Sequence, residues 1–373
     1  MTTTVTSTCA CRGFNFTVEF PNSELPMNRA LCLCNNCRRV SGSCGWSSLL
    51  VPPSQMFDPS KFNTTAYESS KGVARHFCST CGAHTFTMIQ RGQSMCVLNT
   101  GLWDRTDGLI NWTGCKWVDD TLDGGISVWF KDIKRADGTK EKLKRWASYD
   151  SGDVKFVPEG SLIALPEKEE IPAKDDRLKA ECHCGGVKFY ITRPDEASKK
   201  VQSPFSDLIT PYHSHSSENP KSETWWLREN DTKYLAGTCA CTSCRLATGC
   251  EIQPWAFVPK CNIFQEDGTP LDFAMGTLKS YQSSEGVLRE FCGVCGATVF
   301  WHCEERPDLI DVSVGVLDPE EGARVEGWLD WWTGRVSFEE LALSKDLIAS
   351  LGDGLKRWKA EKQTEWLPTV GSG

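Results

Sequence analysis

The chain has 373 residues, 40% of them hydrophobic and 24% charged, with a formal net charge of −8. That length suits about two domains with cores of their own, and the acidic balance argues against nucleic-acid or anionic-membrane binding. Met1 to Ser7 lack the basic start and apolar run of a secretion signal, and no stretch reaches the roughly 18–20 apolar residues that span a bilayer, so a cytoplasmic protein is expected, its 20 cysteines serving metal rather than disulfides.

In chain order, Cys9-Ala10-Cys11 comes first. Cys32-Leu33-Cys34-Asn35-Asn36-Cys37-Arg38 follows, with Gly42 beyond it. A β-rich interval leads to Arg75-His76-Phe77-Cys78-Ser79-Thr80-Cys81-Gly82-Ala83, and the β-branched and aromatic run Thr85–Ile89 predicts a strand. This unit fills residues 1–150. Residues 151–177, with Pro158, Pro166, Pro172 and a run of Glu and Lys, read as a solvated linker.

The same order then repeats over residues 178–345: Cys182-His183-Cys184, Cys239-Ala240-Cys241-Thr242-Ser243-Cys244-Arg245 with Gly249, and Arg289-Glu290-Phe291-Cys292-Gly293-Val294-Cys295-Gly296-Ala297. The domain is duplicated. The second copy carries an insertion of about 34 residues within 194–237, holding His213, His215, Trp225 and Trp226; such an excursion is either a lid or a tolerated loop. Leu341, Ile348, Leu351 and Leu355 recur at helical spacing, predicting a short helix in the C-terminal tail, 346–373. The copies end on the same tetrapeptide, Leu143–Trp146 and Leu355–Trp358, read as docking helices or turns. Fifteen tryptophans are an unusual load, for packing or for an apolar pocket.

Cys9 and Cys11 with Cys78 and Cys81 supply four thiolates from two short turns, the make-up of a closed tetrahedral zinc site. Cys182, Cys184, Cys292 and Cys295 repeat that set. The triplets Cys32, Cys34, Cys37 and Cys239, Cys241, Cys244 are one ligand short, leaving a position for water, a substrate thiol or another residue. An open zinc position can bind a thiolate and act as a Lewis acid. Cys44 and Cys250 follow closely enough to be fourth ligands, although the two do not align. Cys96, Cys115, Cys261 and Cys303 read as buried small residues. His76 and His84 have no counterpart histidines in the second copy, and His183 is expected to point outward.

Cys-x-Cys, then Cys-x-Cys-x-x-Cys-Arg with a following Gly, then Arg-x-Phe-Cys-x-x-Cys-Gly resembles the glutathione-dependent formaldehyde-activating enzyme family, which includes centromere protein V. Gly101-Leu102-Trp103-Asp104 and Gly315-Val316-Leu317-Asp318 resemble that family's Gly-x-Leu-Asp turn. The resemblance implies a mainly β architecture of two tandem zinc-containing β-tent domains, built of small antiparallel sheets. It assigns Cys9, Cys11, Cys78, Cys81 and Cys182, Cys184, Cys292, Cys295 to structural zinc, and the two triplets to catalytic zinc, giving two to four Zn2+ per chain. It also implies a carbon–sulfur lyase, similar to S-(hydroxymethyl)glutathione synthase, that makes or breaks a C–S bond in a small-molecule thiol adduct such as a glutathione conjugate. Arg12 stands where the family has glycine. A non-catalytic zinc-stabilised protein-interaction module is the competing expectation.

Overall fold

The computed structural model describes residues 1–149, 154–157, 176–214 and 217–365. Most of the linker, His215 and the end of the tail lie outside the described residues, as does the His213 side chain. No described helix is long and apolar enough to cross a membrane.

The molecule is mainly β. The first strand, Thr2–Thr8, pairs antiparallel with Asn15–Pro21 in a register that sets Val5 against Val18, both fully buried, so the period-two alternation hides one face of the ribbon. A five-stranded antiparallel sheet follows in the order Ser48–Leu50, Gln93–Asn99, His84–Arg91, Val73–Cys78, Thr64–Ser70. The strand expected over Thr85–Ile89 lies inside it. A second sheet joins Met27–Cys32, Ile110–Lys116, Lys144–Tyr149 and Val154–Phe156, with parallel pairing at its first two joints.

In the second copy the equivalent elements merge. Lys233–Cys239 pairs directly with Gln253–Pro259, producing an eight-stranded sheet. In the first copy the matching segments meet only at the bridge between Cys32 and Trp46, because Ser48–Leu50 is three residues long. A three-stranded sheet of Arg177–Glu181, Lys188–Thr192 and Ile263–Gln265 completes this half.

The two copies share one continuous buried core and meet through paired contacts. Helix α1 (Asn35–Ser41) is capped by Gly42 at φ 77°, and α2 (Thr242–Thr248) by Gly249 at φ 79°, the left-handed conformation that glycine adopts without cost. A Cβ on Gly42 would lie 2.0 Å from the Thr298 carbonyl oxygen of the other copy; one on Gly249 would lie 2.2 Å from that of His84. Gly82 faces the Phe291 ring and Gly296 faces Phe77, so each Arg-x-Phe-Cys-x-x-Cys-Gly motif inserts its phenylalanine over the other's glycine. This exchange explains why Phe and Gly recur beside the thiols.

The repeated tetrapeptide takes two forms. Lys144 to Trp146 lie in a strand, held by parallel pairing with Gly114 to Lys116. Leu355 to Trp358 lie in helix α3 (Lys345–Glu365). Rather than closing the second copy, α3 packs on the first, with Trp358 against Trp129 and Lys131 paired to Glu361. Leu341 precedes this helix in a 3-10 turn and is exposed.

Candidate metal centres

Four groups of thiols that could hold a metal ion occur among the described residues, and they are the four sets expected: Cys9, Cys11, Cys78, Cys81; Cys182, Cys184, Cys292, Cys295; and the two triplets. Within each, all Sγ atoms lie within 4.8 Å of one another. The short separations are 3.6 Å for Cys9–Cys11, 3.4 Å for Cys11–Cys78 and 3.5 Å for Cys184–Cys292. Thiolates at about 2.3 Å from a tetrahedral zinc stand about 3.8 Å apart, so the donor sets fit that ion.

Backbone amides converge on the sulfurs. Phe14 N–H donates to Cys9 Sγ at 3.3 Å, Gly13 N–H to Cys11 at 3.4 Å, and Val187 and Gly186 repeat the pair on Cys182 and Cys184, each at 3.3 Å. Such donors favour the charged thiolate that a metal requires.

The triplets are assembled by local geometry. Cys32 and Cys239 end strands. Cys34 and Cys241 are the N-caps of α1 and α2, whose sulfurs accept from the amides of Cys37 and Cys244 at 3.4 and 3.2 Å. The capping turn therefore turns the second and third thiols toward the first. Cys44 and Cys250 are buried and belong to neither group. Cys96, Cys115 and Cys303 are buried as expected, while Cys261 is exposed. His84 is fully buried and its Nε2 donates to Val40 O at 2.7 Å; burial drives its pKa down to about 3. His183 does not point outward: its Nδ1 meets Tyr67 Oη of the other copy at 2.7 Å.

The motif arginines stand on the third thiol of each triplet, a role that motif spacing did not reveal. Arg75 Nη2 donates to Cys37 Sγ at 3.2 Å, and Arg289 Nη2 to Cys244 Sγ at 3.6 Å and Ser243 Oγ at 3.0 Å. Hydrogen bonds from Cys32 and Cys34, with the Arg75 guanidinium added, hold the Cys37 thiol well below its ordinary value despite burial; Cys239, Cys241 and Arg289 do the same for Cys244. Their recurrence at one position in both copies was the available signal. Replacing Arg289 by Met is expected to weaken metal affinity of the second triplet about tenfold or more, read by competition with a chromophoric chelator; unchanged affinity would remove the arginine from this role.

Beyond the thiols the copies diverge. Arg75 is satisfied, with Nε on Ser69 Oγ at 3.0 Å and its guanidinium over the Trp46 ring at 4.4 Å. Arg289 is 3% exposed, yet its Nε and Nη1 have no partner. It lines a cavity of about 540 Å3 that opens onto Cys239, Cys241 and Cys244. In the same cavity Arg306 Nη2 donates to Asp311 Oδ1 at 2.8 Å, and burial pushes the Asp311 carboxyl up to about 6 against the pull of Arg306. Strand register shows what the first copy lacks. Trp301 pairs with Asp311 where Thr87 pairs with Val97, and Trp255 pairs with Ser313 where Ser48 pairs with Asn99. The first copy's cavity, about 480 Å3, reaches Cys32 alone of its triplet and is lined by Arg29, Lys116, Arg135, Lys142 and Lys144 among others.

The insertion covers the second cavity. Phe205 to Leu208 and Tyr212 line it. Asp207 ties the segment down, accepting from Phe338 N–H at 2.7 Å and Ser337 Oγ at 3.2 Å and pairing with Arg335 at 3.3 Å. Leu208 packs on Gly237, where a Cβ would lie 2.3 Å from Leu208 Cδ1. Of the insertion's tryptophans, Trp226 is fully buried and Trp225 packs edge-on against Phe257.

Comparison with curated proteins and with solved structures returns no match. A family model described as glutathione-dependent formaldehyde-activating enzyme matches residues 4–117 and again 227–334. The second match begins at residue 227, well beyond Cys182 and Cys184, yet the structure brings those two thiols to Cys292 and Cys295 as it brings Cys9 and Cys11 to Cys78 and Cys81. By sequence and by repeated thiol architecture, the chain belongs to the glutathione-dependent formaldehyde-activating enzyme family and carries its unit twice.

Proposed function

We propose that the protein is a zinc-dependent carbon–sulfur lyase, acting on a small-molecule thiol adduct in the second copy's cavity, and that it works in the cytoplasm, where thiols stay reduced. The observation that carries this reading is Arg289: a buried guanidinium that holds one thiol of an incomplete metal set, lines the cavity beside it and keeps two nitrogens without a partner. Buried donors without partners are costly, and a small shift of the guanidinium toward an anionic sulfur or oxygen of a bound adduct would satisfy them. Zinc held by Cys239, Cys241 and Cys244 would supply a Lewis acid with one position left for sulfur.

For a hydroxymethyl-type adduct, the C–S bonding pair passes to sulfur, the hydroxyl proton leaves, and an aldehyde and a free thiol result. The reverse makes the bond, and neither direction needs an oxidant. Arg289 would hold the developing negative charge, and Asp311, the cavity's buried carboxyl, would exchange the hydroxyl proton. The four-thiol sites would be structural. The first copy, with Val97 and Thr87 at the positions of Asp311 and Trp301, would serve as scaffold.

The test is metal content by mass spectrometry, followed by turnover of thiol adducts by the full chain. Cys241→Ser is expected to abolish turnover in a folded protein; a protein-interaction module would lose metal and fold together or show no turnover at all. Asp311→Asn is expected to lower turnover about 100-fold. Because burial holds the Asp311 pKa near 6, its basic form exists above that value. Turnover in the bond-breaking direction should therefore rise through about pH 6 in the native protein and lose that step in the variant. A pH profile identical in both proteins would exclude Asp311.

A further inference from the structure

Resting on that reading of the second cavity, we infer that its substrate is a thiol adduct whose carbon half is a bulky aromatic group, rather than a small aldehyde carried on an anionic tripeptide. The thiols Cys239, Cys241 and Cys244 form a buried cluster of their own with Trp255, against which Trp301 and Phe338 pack. Aromatic faces thus lie immediately beside the sulfurs, where the carbon attached to a bound sulfur would sit. Phe257 extends the wall, and Tyr212 reaches in from the insertion, 6.1 Å from the Phe338 ring.

Phe338 is held there against its backbone preference. It sits at φ 51°, in the left-handed region that bulky residues avoid. Its amide is held by Asp207 of the insertion, so the segment that covers the cavity also aims this ring at the thiols. Strain of this kind persists where the surroundings over-determine it, and it concentrates at ligand sites.

Size and charge point the same way. A cavity of about 540 Å3 falls in the range that encloses a drug-sized ligand. A one-carbon aldehyde needs no such wall, and the copy without the insertion has Ser48, Leu50 and Thr87 where this one has Trp255, Phe257 and Trp301. The mouth bears Glu285, Glu304 and Glu305, all exposed. These carboxylates would repel the two carboxylates of glutathione, while stacked aromatic rings are attracted irrespective of them.

The test uses the zinc-loaded full chain and two probes, 2-naphthylmethanethiol and glutathione, each titrated by calorimetry. The naphthyl thiol is expected to bind at least about tenfold more tightly. Trp301→Thr, which installs the first copy's residue on a partly exposed strand position, and Phe338→Gly, which removes the ring and accepts the left-handed backbone, should each weaken the naphthyl thiol about tenfold and leave glutathione unchanged. Glutathione binding as tightly as the naphthyl thiol, or a naphthyl affinity indifferent to both substitutions, would overturn the inference. The two readings separate cleanly. Aromatic binding that depends on Trp301 and Phe338, with no adduct turned over, supports the substrate class and sinks the lyase; turnover of a glutathione adduct that ignores both residues does the opposite.

Discussion

Cys292→Ser is expected to unfold the protein at ordinary temperature, whereas Cys241→Ser leaves it folded. Cys292 is the hub of its four-thiol group. Its sulfur accepts from Thr277 Oγ1 at 3.0 Å, Val294 N–H at 3.4 Å and Cys295 N–H at 3.5 Å, and lies 3.5 Å from Cys184 Sγ. The group ties the turn at Cys182–Val187 to the end of strand Val287–Cys292, segments more than a hundred residues apart in sequence. Structural zinc contributes on the order of 10 kcal/mol, and whole domains are stable by only about 5–15 kcal/mol, so losing one of four ligands should consume most of the margin. Cys241 instead caps a seven-residue helix at the cavity wall and joins nothing distant. Melting curves read alongside metal content decide the matter. A Cys292→Ser protein that melts like the native one with its metal intact would show that the four-thiol group is not structural.

The second large effect is expected at Gly249. An alanine there faces two penalties. The φ of 79° is one that residues with a Cβ adopt at a cost of about 1 kcal/mol or more, and the new methyl would lie 2.2 Å from the His84 carbonyl oxygen of the other copy. That carbonyl also accepts from Asn99 Nδ2 at 3.0 Å, so it is not free to yield. The copies would have to separate by more than an ångström along a face where Gly101 already lies against the Gly249 backbone and Gly315 against Gly42. A loss of about 3 kcal/mol or more is expected, and Gly42→Ala should match it through the equivalent contact with Thr298. Because the core is continuous, urea denaturation should show a single transition displaced to lower midpoint for both variants. Unshifted midpoints, or two separate transitions in the native protein, would mean that the copies are held together less tightly than their contacts indicate.

Both effects arise at residues visible in the motifs, but for reasons of unequal visibility. The thiol groups were legible because metal ligation demands particular atoms in short runs: Cys-x-Cys and Cys-x-x-Cys carry their chemistry in their spacing, and repetition removes coincidence. The mainly β character was legible from β-branched and aromatic content. The glycine after each Cys-x-x-Cys was legible as a recurrence only, since its partner is a phenylalanine from the opposite copy, and contact across a pseudo-symmetric face leaves no local signature.

The tetrapeptide Leu-Lys-Arg-Trp marks the limit most clearly. It is a strand from Lys144 to Trp146, where Gly114 and its neighbours offer backbone partners, and a helix at Leu355–Trp358, where Trp129 offers an apolar surface to Trp358. Local propensity is weak beside such partners. The insertion behaves likewise. Its sequence was compatible with a lid or a loop, and what makes it a cover is the Asp207 contacts with Ser337 and Phe338, some 130 residues away, together with the space that Gly237 leaves for Leu208.

By itself, then, the sequence determined that the chain is a duplicated thiol-rich β protein with two complete and two incomplete metal sets, because ligand chemistry is encoded in adjacent residues. Only the tertiary structure decided that the copies are unequal. Asp311, Trp301, Trp255 and the two unpartnered nitrogens of Arg289 are ordinary residues until strand pairing and the insertion gather them around one triplet, and that gathering is set by long-range register and burial rather than by neighbours in the chain.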